Sequence, residues 1–239
     1  MEIAVRGPVV AFLPCRKGSE RVPLKNIRPF GPFSHGLIEI KLRQLLSCGA
    51  IDRVVLSTND DEILSLANDL CVGDRLVIHR RDESLCSSAT STDDLVAHAA
   101  KLIVPLSAEC HILWTHVTSP FVTAWHYAEI IAEYAQALSQ GHDSLMTTTP
   151  LHSFLWSESG PINYDRAVEK WPRTQTLIPV QEVNSAGFLA PASIYASHND
   201  RIGPHPKLFP LDRMVSLDID WEEDFMIAEQ LLVHGLVKT

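Results

Sequence analysis

Two segments near opposite ends of the chain carry the residue types that handle phosphate. The first is Leu13-Pro14-Cys15-Arg16-Lys17-Gly18-Ser19-Glu20-Arg21-Val22-Pro23-Leu24-Lys25-Asn26-Ile27. Gly18 lets the backbone approach a phosphate closely, Ser19 offers a hydroxyl, and Arg16 and Lys25 bring positive charge to triphosphate oxygens. The Gly-Lys-Ser/Thr ending of a Walker A loop is absent. Taken by itself, the segment also fits a solvated basic turn. The second segment is Ser216-Leu217-Asp218-Ile219-Asp220-Trp221-Glu222-Glu223-Asp224. On an extended strand Asp218 and Asp220 would share one face, with Ile219 opposite. Two carboxylates that close repel unless a cation or base lies between them. Beside a triphosphate the pair suits Mg²⁺, which takes one or two carboxylates and completes its shell with water and phosphate. The alternative is an acidic first turn of the last helix, which Glu222, Glu223 and Asp224 fit through the helix dipole.

Such residues act together only if the fold delivers them to one place. Residues 8–14 form a continuous apolar run of strand length, as in a strand buried on both faces, and similar runs occur at 53–58, 75–79 and 111–117. Helical patterns lie between them at 37–46 and at 60–70, the latter opened by Asn59 with Glu62 three residues on. A third starts at Ser91 with Asp94 at the matching offset, and a fourth runs over 123–140 with Gly141 as its stop. This alternation predicts βαβ units and an α/β fold with a largely parallel sheet and helices on both faces. The basic loop then follows the first strand directly, where open α/β sheets bind ligands.

Beyond residue 142 the rhythm changes. A strand over 144–149 leads into 150–182, rich in Pro, Trp, Tyr and Gln and without an amphipathic period. A long irregular stretch inside a domain calls for a function. Regular structure is expected again at 188–195 and 214–219, followed by a helix from Trp221 to His234. With no repeat, low-complexity tract or linker, the 239 residues read as one domain.

Composition narrows the choice of ligand. With 46% hydrophobic and 21% charged residues the chain is globular, and its net charge of −9 argues against nucleic acid and anionic membrane as partners. Placement of charge is more telling than its sum. Residues 16–28 hold five bases and one acid, a window of +4 that leaves −13 for the remainder. A small anionic ligand held at that loop is the expectation. Five cysteines (Cys15, Cys48, Cys71, Cys86, Cys110), an odd number without Cys-x-x-Cys spacing, read as reduced thiols of a cytoplasmic protein. The N-terminal apolar run has no basic stretch before it and is too short for a signal peptide or a membrane span.

The loop at 13–27 resembles the nucleotide-binding signature of the cytidylyltransferases that make CMP-activated acid sugars, of the N-acylneuraminate type. That signature runs as a strand, Pro/Ala-x-Arg-x-Gly/Asn-Ser, then Leu-Pro-x-Lys-Asn. Lys25-Asn26 resembles the acylneuraminate branch more than the octulosonate (Kdo) enzymes, which usually carry Lys-Pro. Further segments follow in the family's order. Ser57-Thr58-Asn59-Asp60 is similar to the turn after the second strand, and Arg80–Leu85 to an Arg-Pro-x-x-Leu segment, with Arg81 in the arginine's place and Arg80 second. Thr118-Ser119-Pro120 resembles Gln-Pro-Thr-Ser-Pro with His116-Val117 in place of Gln-Pro, and Pro172-Arg173-x-Gln175 with Asn184–Phe188 resembles the Pro-Arg-Gln and Asn-Gly segments.

The resemblance implies a Rossmann-like nucleotide-diphospho-sugar transferase fold, CTP and an acid sugar as substrates, and Mg²⁺ on Asp218 and Asp220. It places Leu13, Pro14, Arg16, Gly18, Ser19, Lys25, Asn26, Arg81, Ser91 and Thr92 at the nucleotide, although Ser91 also fits a helix cap. His116, Thr118, Ser119, Arg173 and Asn184 would face the sugar, His116 replacing the glutamine or standing as an ordinary strand-end histidine. Arg16, Lys25, Asp218 and Asp220 would carry catalysis of nucleotidyl transfer. Residues 150–182 would be an insertion reaching a second subunit of a homodimer, its aromatics at the interface, or else a local satellite core. An octulosonate or phosphonate acceptor, or a non-catalytic binding role, are the competing readings.

Overall fold

Strand β1 (Val9–Pro14) divides its side chains between two hydrophobic clusters, Val9, Ala11 and Leu13 on one side and Val10 and Phe12 on the other. A strand apolar at every position leaves no face for water, so it lies inside a sheet covered on both sides. The computed structural model describes residues 5–70, 72–107 and 109–239. Cys71 lies outside the described residues, while Cys15, Cys48, Cys86 and Cys110 are free and buried.

After β1 come α1 (Gly36–Ser47), β2 (Arg53–Thr58), α2 (Asp61–Asp69), β3 (Leu76–Arg80), α3 (Thr92–Ile103), β4 (His111–Trp114), α4 (Ala124–Ser139) and β5 (Ser144–Leu151). Two-residue strands β6 (Trp156–Ser157) and β7 (Gly160–Pro161) precede β8 (Val180–Pro191), α5 (Ala192–His198), β9 (Pro206–Pro210) and α6 (Glu222–Val233). The main sheet has the order β3-β2-β1-β4-β8-β5-β9. Only β8 runs against its neighbours; the other pairs are parallel. Helices α1, α2, α4 and α6 contribute Leu37, Ile63, Tyr127 and Phe225 to one cluster. Opposite them α3 and α5 contribute Val96, Ala99, Ile194 and Tyr195, packed on Phe12 and Trp114. The largely parallel α/β sheet with helices on both faces is therefore what forms.

Several boundaries differ from expectation for local reasons. Helix α2 is capped by Asp60, whose carboxylate accepts from the Glu62 N–H at 3.0 Å, because Asn59 is committed to the basic loop. The capping box at Ser91 and Asp94 forms, and Gly141 takes φ +90° after α4. The strand expected at 188–195 ends at Pro191, where α5 begins. The strand expected over 214–219 does not form. There the Asp212 carboxylate accepts from the Met214 N–H at 2.8 Å, and the Ser216 N–H reaches the Asp212 carbonyl at 2.9 Å, closing a turn. Unforeseen β9 is a sheet edge bounded by Pro206 and Pro210, a position that tolerates missing donors.

Residues 150–182 have an order of their own. Asn163 Nδ2 donates to the carbonyls of Ser153 (2.9 Å) and Ile178 (3.1 Å), gathering the segment around the β6–β7 hairpin. Phe154, Trp156, Tyr164 and Trp171 pack edge to face or stacked, with the Arg166 guanidinium 5.3 and 5.2 Å from the Trp156 and Trp171 rings. Trp171 is nonetheless 61% exposed and Ile178 75% exposed.

Candidate active site

The basic loop is held by its own backbone before any ligand is considered. Past Pro14, the Cys15 N–H donates to the Ser57 carbonyl (3.0 Å) and the Lys17 N–H to Asn59 Oδ1 (2.9 Å). Asn59 Nδ2 in turn donates to Glu83 (2.8 Å). Asn26 Nδ2 donates to the Arg16 carbonyl (3.1 Å), drawing the two ends of the loop together, and the Asn26 carbonyl accepts from the Ile38 N–H in the first turn of α1 (2.9 Å). Gly36 begins that helix at φ +62°, and a Cβ there would strike the Arg28 carbonyl, so glycine is what lets the loop lie on the helix start. Leu24 takes φ +54° without being glycine, at a cost of about 1–2 kcal/mol. Its side chain points to solvent, while neighbouring Lys25 is buried at 9% exposure.

A cleft of about 480 Å³ opens above this loop at the carboxyl ends of β1 and β4. Among the expected residues, Pro14, Arg16, Ser19, Lys25, Asn26, His116 and Thr118 line it. Cys15, Glu20, Arg21, Ser88 and Val117 line it as well. Arg21 belonged to the basic window and could have been read from charge alone, whereas Ser88 carries no motif. Burial pushes the Cys15 thiol up to about 12, so it is a neutral wall group and no nucleophile at pH 7.

At one end of the cleft the two distant segments meet. Lys25 Nζ donates to the Ile219 carbonyl at 2.7 Å and stands 3.9 Å from Asp220 Oδ1, the oxygen that also accepts from Arg21 Nη2 at 2.8 Å. The Arg21 guanidinium lies 5.0 Å from the Trp221 ring centre. Arg28 pairs with Glu222 at 2.6 Å and covers the Phe225 ring at 4.3 Å, which fastens the start of α6 to the loop. Burial lowers the Lys25 pKa, and the charges of Asp220 and Asp218 oppose that shift. Asp218 Oδ1 is buried and has no hydrogen-bond partner among the described residues.

His116 uses both ring nitrogens inside the protein. Trp114 Nε1 can only donate, so His116 Nε2 accepts from it at 2.9 Å, and the proton on Nδ1 faces the Ser185 carbonyl at 3.3 Å. Burial, with the nearby Arg201 charge, lowers its pKa to about 4, which keeps the ring neutral. His116 therefore gives the cleft a wall and no free donor.

Other expected residues stand elsewhere. Leu13 belongs to the core and Gly18 turns the exposed loop at φ +75°. Arg81 is 3% exposed and does not line the cleft; its charge acts on Cys15 and Cys86 beneath the loop, and its Nε has no partner among the described residues. Ser91 and Thr92 are exposed at the start of α3, with Ser91 serving as cap. Ser119 is buried behind Thr118. Asn184 ties β8 to β5, accepting from Thr147 Oγ1 (2.5 Å) and donating to Thr149 Oγ1 (3.0 Å). Arg173 is exposed on the 150–182 segment.

The cleft is thus lined by three bases, Arg16, Arg21 and Lys25, with Asp220 held at its edge by Arg21 and Lys25. The family model described as cytidylyltransferase matches residues 10–231. The chain belongs to the cytidylyltransferase family. This cytidylyltransferase is 23% identical over 229 residues to the pseudaminic acid cytidylyltransferase of Campylobacter jejuni, covering 93% of this chain and 95% of that one. It is 28% identical over 235 residues to the N-acylneuraminate cytidylyltransferase of Oncorhynchus mykiss, covering 95% of this chain but only 50% of that longer protein. The fold matches CMP:2-keto-3-deoxy-manno-octonic acid synthetase complexed with CTP at TM-score 0.65, 12% identity, 96% of this chain and 100% of that one. It also matches 4-diphosphocytidyl-2C-methyl-D-erythritol synthase from Anaerococcus prevotii at TM-score 0.63, 14% identity, 95% of this chain and 96% of that one. Among the described residues no helix of the cytidylyltransferase is long and apolar enough to cross a membrane.

Proposed function

We propose that this cytidylyltransferase couples CMP, from CTP, to the anomeric hydroxyl of an α-keto acid sugar of the N-acylneuraminate type. The observation that carries the reading is that Arg16, Arg21 and Lys25 line one cleft, at whose edge Arg21 and Lys25 hold Asp220 from some two hundred residues away in sequence. Relatives named for pseudaminic acid and N-acylneuraminate support an acid-sugar acceptor. In the reaction the hydroxyl oxygen bonds to the α-phosphorus of CTP, the bond from that phosphorus to the bridging oxygen breaks, and pyrophosphate leaves with the electron pair. The hydroxyl proton passes to solvent.

Positioning and charge are what the residues provide. Arg16, Arg21 and Lys25 meet the negative charge that gathers on the leaving pyrophosphate. Asn26 holds the loop closed around the nucleotide, and Ser19 offers a hydroxyl to phosphate. Asp218 and Asp220 are hard oxygen donors two residues apart, and the unpartnered Asp218 Oδ1 is a ligand atom in search of a cation. The pair fits Mg²⁺, which when bound neutralises phosphate oxygens and lowers the pKa of the attacking hydroxyl. On this reading the exposed aromatic segment 150–182 joins two copies in a homodimer and carries Arg173 towards the partner's acceptor.

The test is pyrophosphate release from CTP and Mg²⁺ with a panel of acceptors. N-acetylneuraminate or pseudaminate should turn over fastest, with release abolished by chelation. Preference for an octulosonate or a phosphonate would keep the nucleotide half and overturn the acceptor; tight CTP binding without release on any acceptor would indicate a binding protein.

A further inference from the structure

Residues 218–220 lie outside every strand, so no ladder of backbone bonds fixes the carboxylates of Asp218 and Asp220. Ile219 between them is held on two sides: its N–H donates to the Thr118 carbonyl at 2.9 Å, and its carbonyl accepts from Lys25 Nζ at 2.7 Å. Asp220 has a different anchor. Its backbone N–H donates to Asp224 Oδ2 at 3.0 Å, and the same oxygen accepts from the Trp221 N–H at 2.8 Å.

Asp224 is the third residue of α6, a position from which an acid usually reaches back to the N–H of the capping residue. Here the N-cap is Trp221, whose indole has no oxygen to give the helix in return. The Trp221 ring instead lies 5.0 Å from the Arg21 guanidinium, and Arg21 donates to Asp220 Oδ1 at 2.8 Å. One carboxylate oxygen therefore fixes the backbone of Asp220 and of the ring that carries its partner. Capping α6 accounts for the bond to Trp221 but not for the bond to Asp220. Nor is Asp224 needed for the helix dipole, since Glu222 and Glu223 already bring negative charge to the same turn.

We propose that Asp224 is a positioning residue for Asp220: it holds the backbone at the entry to α6 so that the Asp220 carboxylate is presented at the edge of the cleft. The proposal rests on the reading that Asp220 is a ligand of Mg²⁺ there. Asp224 acts through Asp220 and Trp221 and does not itself line the cleft.

The experiment compares three variants of the full chain. Asp224→Ala removes both bonds, Asp224→Asn keeps an acceptor oxygen at the same reach, and Glu223→Ala removes a first-turn charge at an exposed position. Each is read by steady-state kinetics, by Tm, and by Mn²⁺ affinity in the presence of CTP, measured by electron paramagnetic resonance. Asp224→Ala should lower kcat and Mn²⁺ affinity at least about tenfold each, with KM for CTP within about threefold. Asp224→Asn and Glu223→Ala should stay within about threefold of the parent in all three. A lowered Tm with kcat and Mn²⁺ affinity unchanged would reduce Asp224 to a helix cap and overturn the proposal. Equal losses in Asp224→Asn would assign the effect to charge and overturn it too. If Asp224→Ala does not fold, Asp224→Glu replaces it, because Glu forms the ordinary capping box with its oxygen displaced by a methylene. Then kcat should fall while Tm holds, and an unchanged kcat overturns the proposal. Mn²⁺ binding that depends on Asp224, in a protein that transfers CMP to no acceptor, would remove the functional reading and leave the proposal standing. Transfer with Mn²⁺ binding indifferent to Asp224 would do the reverse.

Discussion

Acidification should expose the cost of the neutral histidine beside the cleft. His116 has a folded pKa near 4 against an ordinary 6.5, so between these values the unfolded chain binds more protons. The sign follows: its contribution is fully present above pH 6.5 and is lost as pH falls towards 4. Integrating the linkage relation from pH 7 to pH 5 gives a loss of about 2 kcal/mol from this residue. For a chain of 239 residues that is roughly 4–8 °C in Tm. The comparison is His116→Gln, which can accept from Trp114 Nε1 and donate to the Ser185 carbonyl but cannot titrate. His98, also lowered to about 4 by burial with His79 and Arg81 nearby, acts equally in both proteins and cancels. Thermal unfolding at pH 7 and pH 5 should show the variant losing less stability by about 2 kcal/mol. Equal losses in the two proteins would refute the argument that burial, with the Arg201 charge nearby, holds His116 neutral.

Other substitutions separate structural duties from chemical ones. Arg21→Gln removes a half-exposed ion pair, so stability should change by less than about 1 kcal/mol while pyrophosphate release falls at least tenfold; stopped assays and a melting curve decide it. Asn184→Ala should destabilise by about 1–3 kcal/mol, since it removes two buried hydrogen bonds between β8 and β5 while Thr147 keeps Gly187 and Thr149 keeps Ser216 as partners, as denaturant titration would show. Ser91→Ala should cost about 1 kcal/mol through the lost cap and leave CTP affinity unchanged, a result calorimetry can check. If segment 150–182 joins two copies as proposed, analytical ultracentrifugation should find a dimer, and Trp171→Arg on that exposed aromatic segment should make it a monomer with the fold retained by circular dichroism.

The sheet was readable because burial on both faces forces unbroken apolar runs. Arg53–Thr58 was located to the residue, and the capping box of α3 and the Gly141 stop followed from local backbone chemistry. What escaped was decided by tertiary commitments. Asn59 has the residue type of a cap, yet its side chain is taken by Lys17 and Glu83, so Asp60 caps instead. Edge strand β9 offers only Lys207-Leu208-Phe209 between prolines, too short for a period. At the site, the charge window marked Arg16 and Lys25, and Arg21 lay within it, while Asn26 came from the resemblance of the Lys25-Asn26 pair. Alternation on a strand was the wrong reason to pair Asp218 with Asp220. No strand forms there, and the two residues are brought to the loop by the Lys25 bond to Ile219 between them.

Calorimetric titration of CTP into the protein and into Lys25→Met is the most direct test of the claim that the loop after β1 holds the triphosphate. The variant keeps the aliphatic stem, so the cleft should survive while CTP affinity falls by at least about thirtyfold, as expected when a buried charge-assisted contact of 2–3 kcal/mol is lost. CTP binding of equal strength in both proteins would contradict the account.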